Sequence, residues 1–174
     1  MTILVLTLLG TDRAGLVSAV SRLISEHGGS WERSQLAHLA GTFAGIVEVD
    51  VPAARADALA GDIEGLAAQG LRVTVERAAD SRPAPPATGP RPSLYLVGAD
   101  RPGIVAQVTQ LLAAHGVNVE ELSTRVVDAP MAGGRLFEAD AVIGVPDDVE
   151  LAVLGAALEA LADELMVDIE LDES

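Results

Sequence analysis

The sequence contains no cysteine. That excludes thiolate metal sites, thiol nucleophiles and a disulfide-stapled secreted scaffold. Aromatic residues are nearly absent too: Trp31, Phe43, Tyr95 and Phe137 are the only ones, too few for base-stacking platforms. Basic residues are scarce, 11 against 26 acidic ones, for a formal net charge of −15. Duplexes and anionic membranes repel such a surface, because both are bound through clustered cations. Neither nucleic acid nor membrane is therefore expected as a direct partner. No run approaches the ~20 apolar residues of a spanning helix. The apolar stretch Ile3 to Leu9 is short and follows no basic segment, so it reads as a buried strand rather than a signal peptide, and a cytoplasmic location is expected. What the chain has in plenty is aliphatic: 49% of residues are hydrophobic and the mean hydropathy is +0.36, ample for a core.

The chain repeats itself at an offset of 88 residues. Residues 6–32 read LTLLGTDRAGLVSAVSRLISEHGGSWE and residues 94–120 read LYLVGADRPGIVAQVTQLLAAHGVNVE. Twelve of these 27 positions are identical. A period this long signals duplicated domains rather than a solenoid. Between the copies lies AADSRPAPPATGPRP, with five of the nine prolines. Proline lacks the amide donor and restricts its neighbours, so this stretch predicts an extended linker. The expected organisation is a first domain over 1–78, a linker over 79–92 and a second domain over 93–174.

Each copy begins with an aliphatic strand, Ile3 to Leu9 or Leu94 to Val97, bounded by glycine. A helix follows, with apolar positions Leu16, Val17, Val20, Leu23 and Ile24, or Ile104, Val105, Val108, Leu111 and Leu112. That spacing marks one helical face. His27-Gly28 and His115-Gly116 close it, glycine suiting the left-handed end. Strands are then expected over Ser30 to Leu39, Thr42 to Val51, Asn118 to Asp128 and Arg135 to Val145. Pro52 and Pro146 open a second helix, with Asp147 and Glu150 as a capping box. Strands Leu71 to Arg77 and Met166 to Leu171 end the copies. The fold class is α+β: βαββαβ twice, the ferredoxin-like order, with two helices on one face of an antiparallel sheet.

The most specific feature is Gly-x-Asp-Arg-x-Gly, at Gly10 to Gly15 and Gly98 to Gly103. Asp12 and Asp100 read as N-caps, and Pro102 falls in the first turn. The remaining amides and the helix dipole favour an anion such as a carboxylate. An aspartate beside them would accept from an ammonium, so one loop suits both ends of an amino acid. The same motif also reads as plain capping and close packing with no ligand. It is neither a phosphate loop nor a dinucleotide fingerprint, so no cofactor is expected.

Strand, G-x-D-R-x-G, amphipathic helix, His-Gly, and Ser or Asn opening the next strand together resemble an ACT domain. Two in a short chain are similar to the glycine cleavage system transcriptional repressor family and its stand-alone ACT relatives. The resemblance implies ligands between paired ACT domains, against the first loop and the start of the second strand. Carried over, the ligand-binding positions are Asp12, Arg13, Ala14, Gly15, Leu16 and Ser30, then Asp100, Arg101, Pro102, Gly103, Ile104 and Asn118. The second copy fits the pattern better, since the first has Ala14 for Pro102 and Ser30 for Asn118. The resemblance implies a non-catalytic regulator that binds a small amino acid, glycine or serine first, forms a homodimer and acts through a transcription factor or enzyme partner. The rival is a ligand-free protein-interaction module.

Other polar groups suggest little chemistry. His27 and His115 read as helix-end caps and His38 as a surface residue; three dispersed histidines make no metal spacing. Ser18 and Ser21 have no His and Asp partners at suggestive positions, so no catalytic residue is expected.

Overall fold

The computed structural model describes residues 1–78, 89–129 and 133–172. It divides into two compact units with the boundary between residues 83 and 84. In the first unit, β1 (Thr2–Thr11) leads to α1 (Leu16–Glu26), β2 (Ser30–Leu39) and β3 (Thr42–Val51). A 3₁₀ turn at Ala53–Arg55 then enters α2 (Ala56–Glu64), a second at Gly65–Gln69 leaves it, and β4 (Leu71–Arg77) follows. The second unit runs β5 (Ser93–Ala99), α3 (Ile104–Ala114), β6 (Asn118–Asp128), β7 (Arg135–Gly144), α4 (Leu151–Leu165) and β8 (Val167–Asp172). The sheet orders are β2-β3-β1-β4 and β6-β7-β5-β8, and among the described residues every strand pairing is antiparallel. Both units are therefore the expected ferredoxin-like α+β fold.

Period-two alternation selects the buried face of each sheet. Leu4, Leu6 and Leu8 of β1 face Val47 and Val49 of β3 and join Leu16, Val20 and Ile24 of α1 and Leu59 and Ile63 of α2 in one core. The second unit repeats this with Leu94 and Leu96 of β5, Val108 and Leu112 of α3, and Leu154 and Leu158 of α4. Each cluster draws only on its own unit. Val17 and Val105, expected on the buried helix faces, are 42% and 40% exposed. They flank the buried stripe, Val105 on the side of the outer strand β6.

The predicted linker divides. Residues 79–88 lie outside the described residues, whereas Pro90 and Pro92 extend the line of β5. Their carbonyls accept from the Val145 and Ile143 amides at 3.3 and 3.1 Å. The loop expected over Ala129 to Gly134 is described except at residues 130–132. The capping box at Asp147 and Glu150 does not form: Glu150 occupies the N-cap of α4 in an extended conformation and no side chain caps the helix. Pro146 opens a turn closed by the Val149 amide, so α4 starts later than expected. Met166 is the left-handed residue that ends α4 rather than the first residue of β8.

Candidate functional site

The repeated loop is built the same way in both units. The Asp12 amide donates to Gly41 O at 3.0 Å and the Asp100 amide to Arg135 O at 2.8 Å, tying each loop to the end of the following hairpin. The aspartate side chains turn the same way. Asp12 Oδ2 lies 3.5 Å from His38 Nε2, and Asp100 Oδ2 lies 3.7 Å from Arg135 Nη1.

Neither aspartate is therefore an N-cap. The helices start at Leu16 and Ile104, and their N-caps are Gly15 at φ 92° and Gly103 at φ 96°. Only glycine enters that left-handed region cheaply. Close packing does not explain these two glycines: a Cβ on Gly15 would meet nothing within 4 Å, and one on Gly103 only the end of Gln107 at 3.5 Å. Ala14 and Pro102 precede the helices in the turn instead of entering the first helical turn. No side chain caps either helix, so first-turn amides are left facing outward with the positive end of the dipole.

The arginines differ. Arg13 Nη2 donates to Gln69 O at 2.5 Å, on the 3₁₀ turn after α2. The second unit has no such turn, because Met166 alone joins α4 to β8. Its Arg101 Nη2 is buried and has no hydrogen-bond partner. An unmatched buried guanidinium nitrogen is costly and calls for an acceptor oxygen.

The strand-start residues lie elsewhere. Ser30 pairs with Asp50, which pairs with Ile3 at the beginning of β1; the loop follows Thr11 at its end. Eight residues of strand separate the two levels, roughly 26 Å. In the second unit Asn118 pairs with Gly144, whereas Leu136, level with the loop, pairs with Ala99. The span is again about 26 Å. Within one unit the structure thus brings Asp12 to Leu16 together, and Asp100 to Ile104 together, but neither set with its Ser30 or Asn118. Ser30 has a companion: Asp50 Oδ1 is buried without a partner. The split βαβ order already implied this separation, since β1 and β2 run parallel and the helix between them returns the chain to the opposite end.

The histidines behave as helix ends. His27 Nε2 meets Asp62 Oδ2 of α2 at 2.8 Å, and His115 Nδ1 meets Leu111 O at 2.9 Å. Among the described residues no three His, Asp or Glu side chains cluster as a metal set, and no helix is long and apolar enough to cross a membrane.

Residue-level patterning did not single out a slot in the second unit, of about 360 Å³ counting its open mouth. Leu94, Leu96, Ala139 and Ala141 form its floor; Ile104, Val105, Val108 and Leu112 of α3 form one wall, and Val119 and Leu122 of β6 the other. Its one hydroxyl-bearing residue, Thr109, donates back to Val105 O at 2.8 Å. The slot begins at Ile104, beside the loop.

The ACT domain family matches residues 2–76 and again residues 93–164. The glycine cleavage system transcriptional repressor of Escherichia coli is 28% identical over 165 residues, covering 93% of this chain and 85% of that protein. A UPF0237 protein of Methanopyrus kandleri is 34% identical over 79 residues, 45% of this chain and 82% of its own. A crystal structure of an unknown protein from Galdieria sulphuraria superposes with a TM-score of 0.86 at 32% identity, covering 99% of this chain and 98% of that one.

Proposed function

The chain belongs to the ACT domain family, with two such domains in tandem, and from that premise we propose a non-catalytic regulator that binds a small amino acid and signals through a protein partner. The observation that carries the reading is the loop of the second unit. Uncapped first-turn amides of α3 and, two residues before its N-cap, the unmatched Arg101 Nη2 are donors of the kind that a carboxylate satisfies. Asp50 Oδ1, opposite Ser30, offers an unmatched acceptor of the kind an ammonium satisfies.

Within each unit the loop and the strand start lie about 26 Å apart. A single amino acid reaches a loop and a strand start together only where a second ACT domain is apposed, and the reading includes a homodimer. An output in transcription control is supported by the name of the E. coli relative, a glycine cleavage system transcriptional repressor. With a net charge of −15, that output runs through a transcription factor or enzyme partner rather than through DNA contact.

A melting screen of the amino acids, with glycine and serine included on family resemblance, tests the proposal. Ligand at about a hundred times its dissociation constant stabilises a fold by about 2.7 kcal/mol, readily seen in a melt. Arg101→Gln is expected to weaken the response severalfold and Arg13→Gln to leave it unchanged. If no amino acid shifts the melt or gives heat, the sensor reading fails and the interaction module takes its place.

A further inference from the structure

The two units are copies, so each position in one shows what its counterpart could hold. In the first unit the sheet surface beside the helix is filled from within. Leu36 of β2 lies across Gly45, so close that a Cβ on that glycine would stand 2.5 Å from Leu36 Cδ2. Leu36 packs on the core beside Val47. In the second unit the register places Thr124 opposite Ala139 and Leu122 opposite Ala141, where the first has Leu36 opposite Gly45 and Ser34 opposite Val47.

Four exchanges shift the apolar bulk away from the loop end, because Leu122 replaces Ser34 two residues further along the strand and Ala139 replaces Gly45. Leu36 becomes Thr124, which is exposed and stands apart from the core, and Val47 on the floor becomes Ala141. What remains is the aliphatic slot, with Leu122 49% exposed at its lip and Val105 40% exposed at its upper end.

We infer that the amino acid taken by the second unit carries a branched aliphatic side chain, of the valine or leucine type, which fills the slot as Leu36 fills its counterpart in the first unit. This rests on the amino-acid reading above and refines its ligand. The slot starts at Ile104 and Val105, the first residues of the helix whose amides hold the carboxylate in that reading. A side chain directed from there along α3 meets only hydrocarbon. Glycine would leave that surface uncovered, and serine would place a hydroxyl where no lining group offers a partner.

Calorimetry on the full chain with leucine, valine, glycine and serine tests the inference. One or two methylenes in such a pocket change affinity by about 10- to 200-fold, so leucine or valine is expected to bind at least about tenfold tighter than glycine or serine. Ala141→Val copies the residue found in the first unit and should remove that preference while the unliganded melt is kept. Thr124→Leu, at an exposed position that does not threaten folding, should do the same by supplying the missing leucine.

If glycine or serine binds as tightly as leucine, the inference falls and the sensor reading stands. If leucine binds both variants as it binds the parent, the slot is not its seat and the inference falls again. If none of the four binds and no other amino acid does, both readings fall together.

Discussion

Gly98, near the end of β5, and Gly103, in the loop that follows, belong to one motif and are glycines for different reasons. A Cβ on Gly98 would stand 2.4 Å from Val167 Cγ1, so the constraint there is the close approach of β8. Gly103 has room but holds φ at 96°. Gly98→Ala is expected to cost about 1–3 kcal/mol by overpacking, and Val167→Ala should restore part of the loss. Gly103→Ala should cost about 1–2 kcal/mol through backbone strain, with no relief from any neighbour. Urea midpoints of the single and double variants check both. The motif itself was plain in the sequence, and its helix and strand were placed by it. The roles inside it were not, because spacing does not say which residue turns left-handed. Once Gly15 and Gly103 take that turn, the aspartates are carried back to the hairpins, where His38 and Arg135 meet them. Nor does spacing reveal that Arg13 finds a carbonyl while Arg101 does not, since the difference lies in the connection after the second helix.

At the scale of elements, apolar patterning with glycine and proline signals located the strands and α-helices in order, and the differences concern their ends and the two 3₁₀ turns that flank α2. The β2–β3 hairpin is an example. Leu39 pairs with Thr42, leaving a two-residue turn of Ala40 at φ 50° and Gly41 at φ 76°. Two positive φ values define the turn type that favours Asn-Gly, matched to the twist of the strands. Alanine at the first place pays a left-handed penalty that asparagine largely escapes. Ala40→Asn should therefore stabilise the first unit by roughly 0.5–1 kcal/mol, read as a higher urea midpoint, and a lower midpoint would refute the turn assignment. The helix faces show the complementary lapse. Val17 and Val105 belong to the apolar pattern but stand at its edge, because two helices are too narrow to cover a sheet of four strands. Sequence periodicity reports a face and not its width, and that margin is where the slot opens.

For the whole molecule, the duplication was the most legible feature, and its main energetic consequence is that there are two cores. Leu59 and Leu158 are both buried, one in each cluster. Each replaced by alanine should cost about 2–5 kcal/mol, confined to its own unit. Hydrogen exchange would locate the loss: Leu59→Ala should expose the amides of β1 and β3 and spare those of β5 and β7, and Leu158→Ala the reverse. Loss spread evenly over all four strands would mean that the cores do not act separately. The slot was the least legible feature. It depends on which β6 residue faces which β7 residue, and so on a bulge and a hairpin register that no local pattern states.

The sheet order bears on how the chain comes to be folded during synthesis. The first strand made in each unit is an inner strand, and one of its two neighbours, β4 for β1 and β8 for β5, is the last strand made. A nascent unit can form its helix early, but its opening strand keeps one open edge until the final segment emerges. Folding is thus held back to the end of each repeat and then completed in a single closure across the longest loop available. The proline-rich stretch comes off the ribosome just after the first of those closures becomes feasible, so the first repeat can finish before the similar strands of the second are present to compete for its edge.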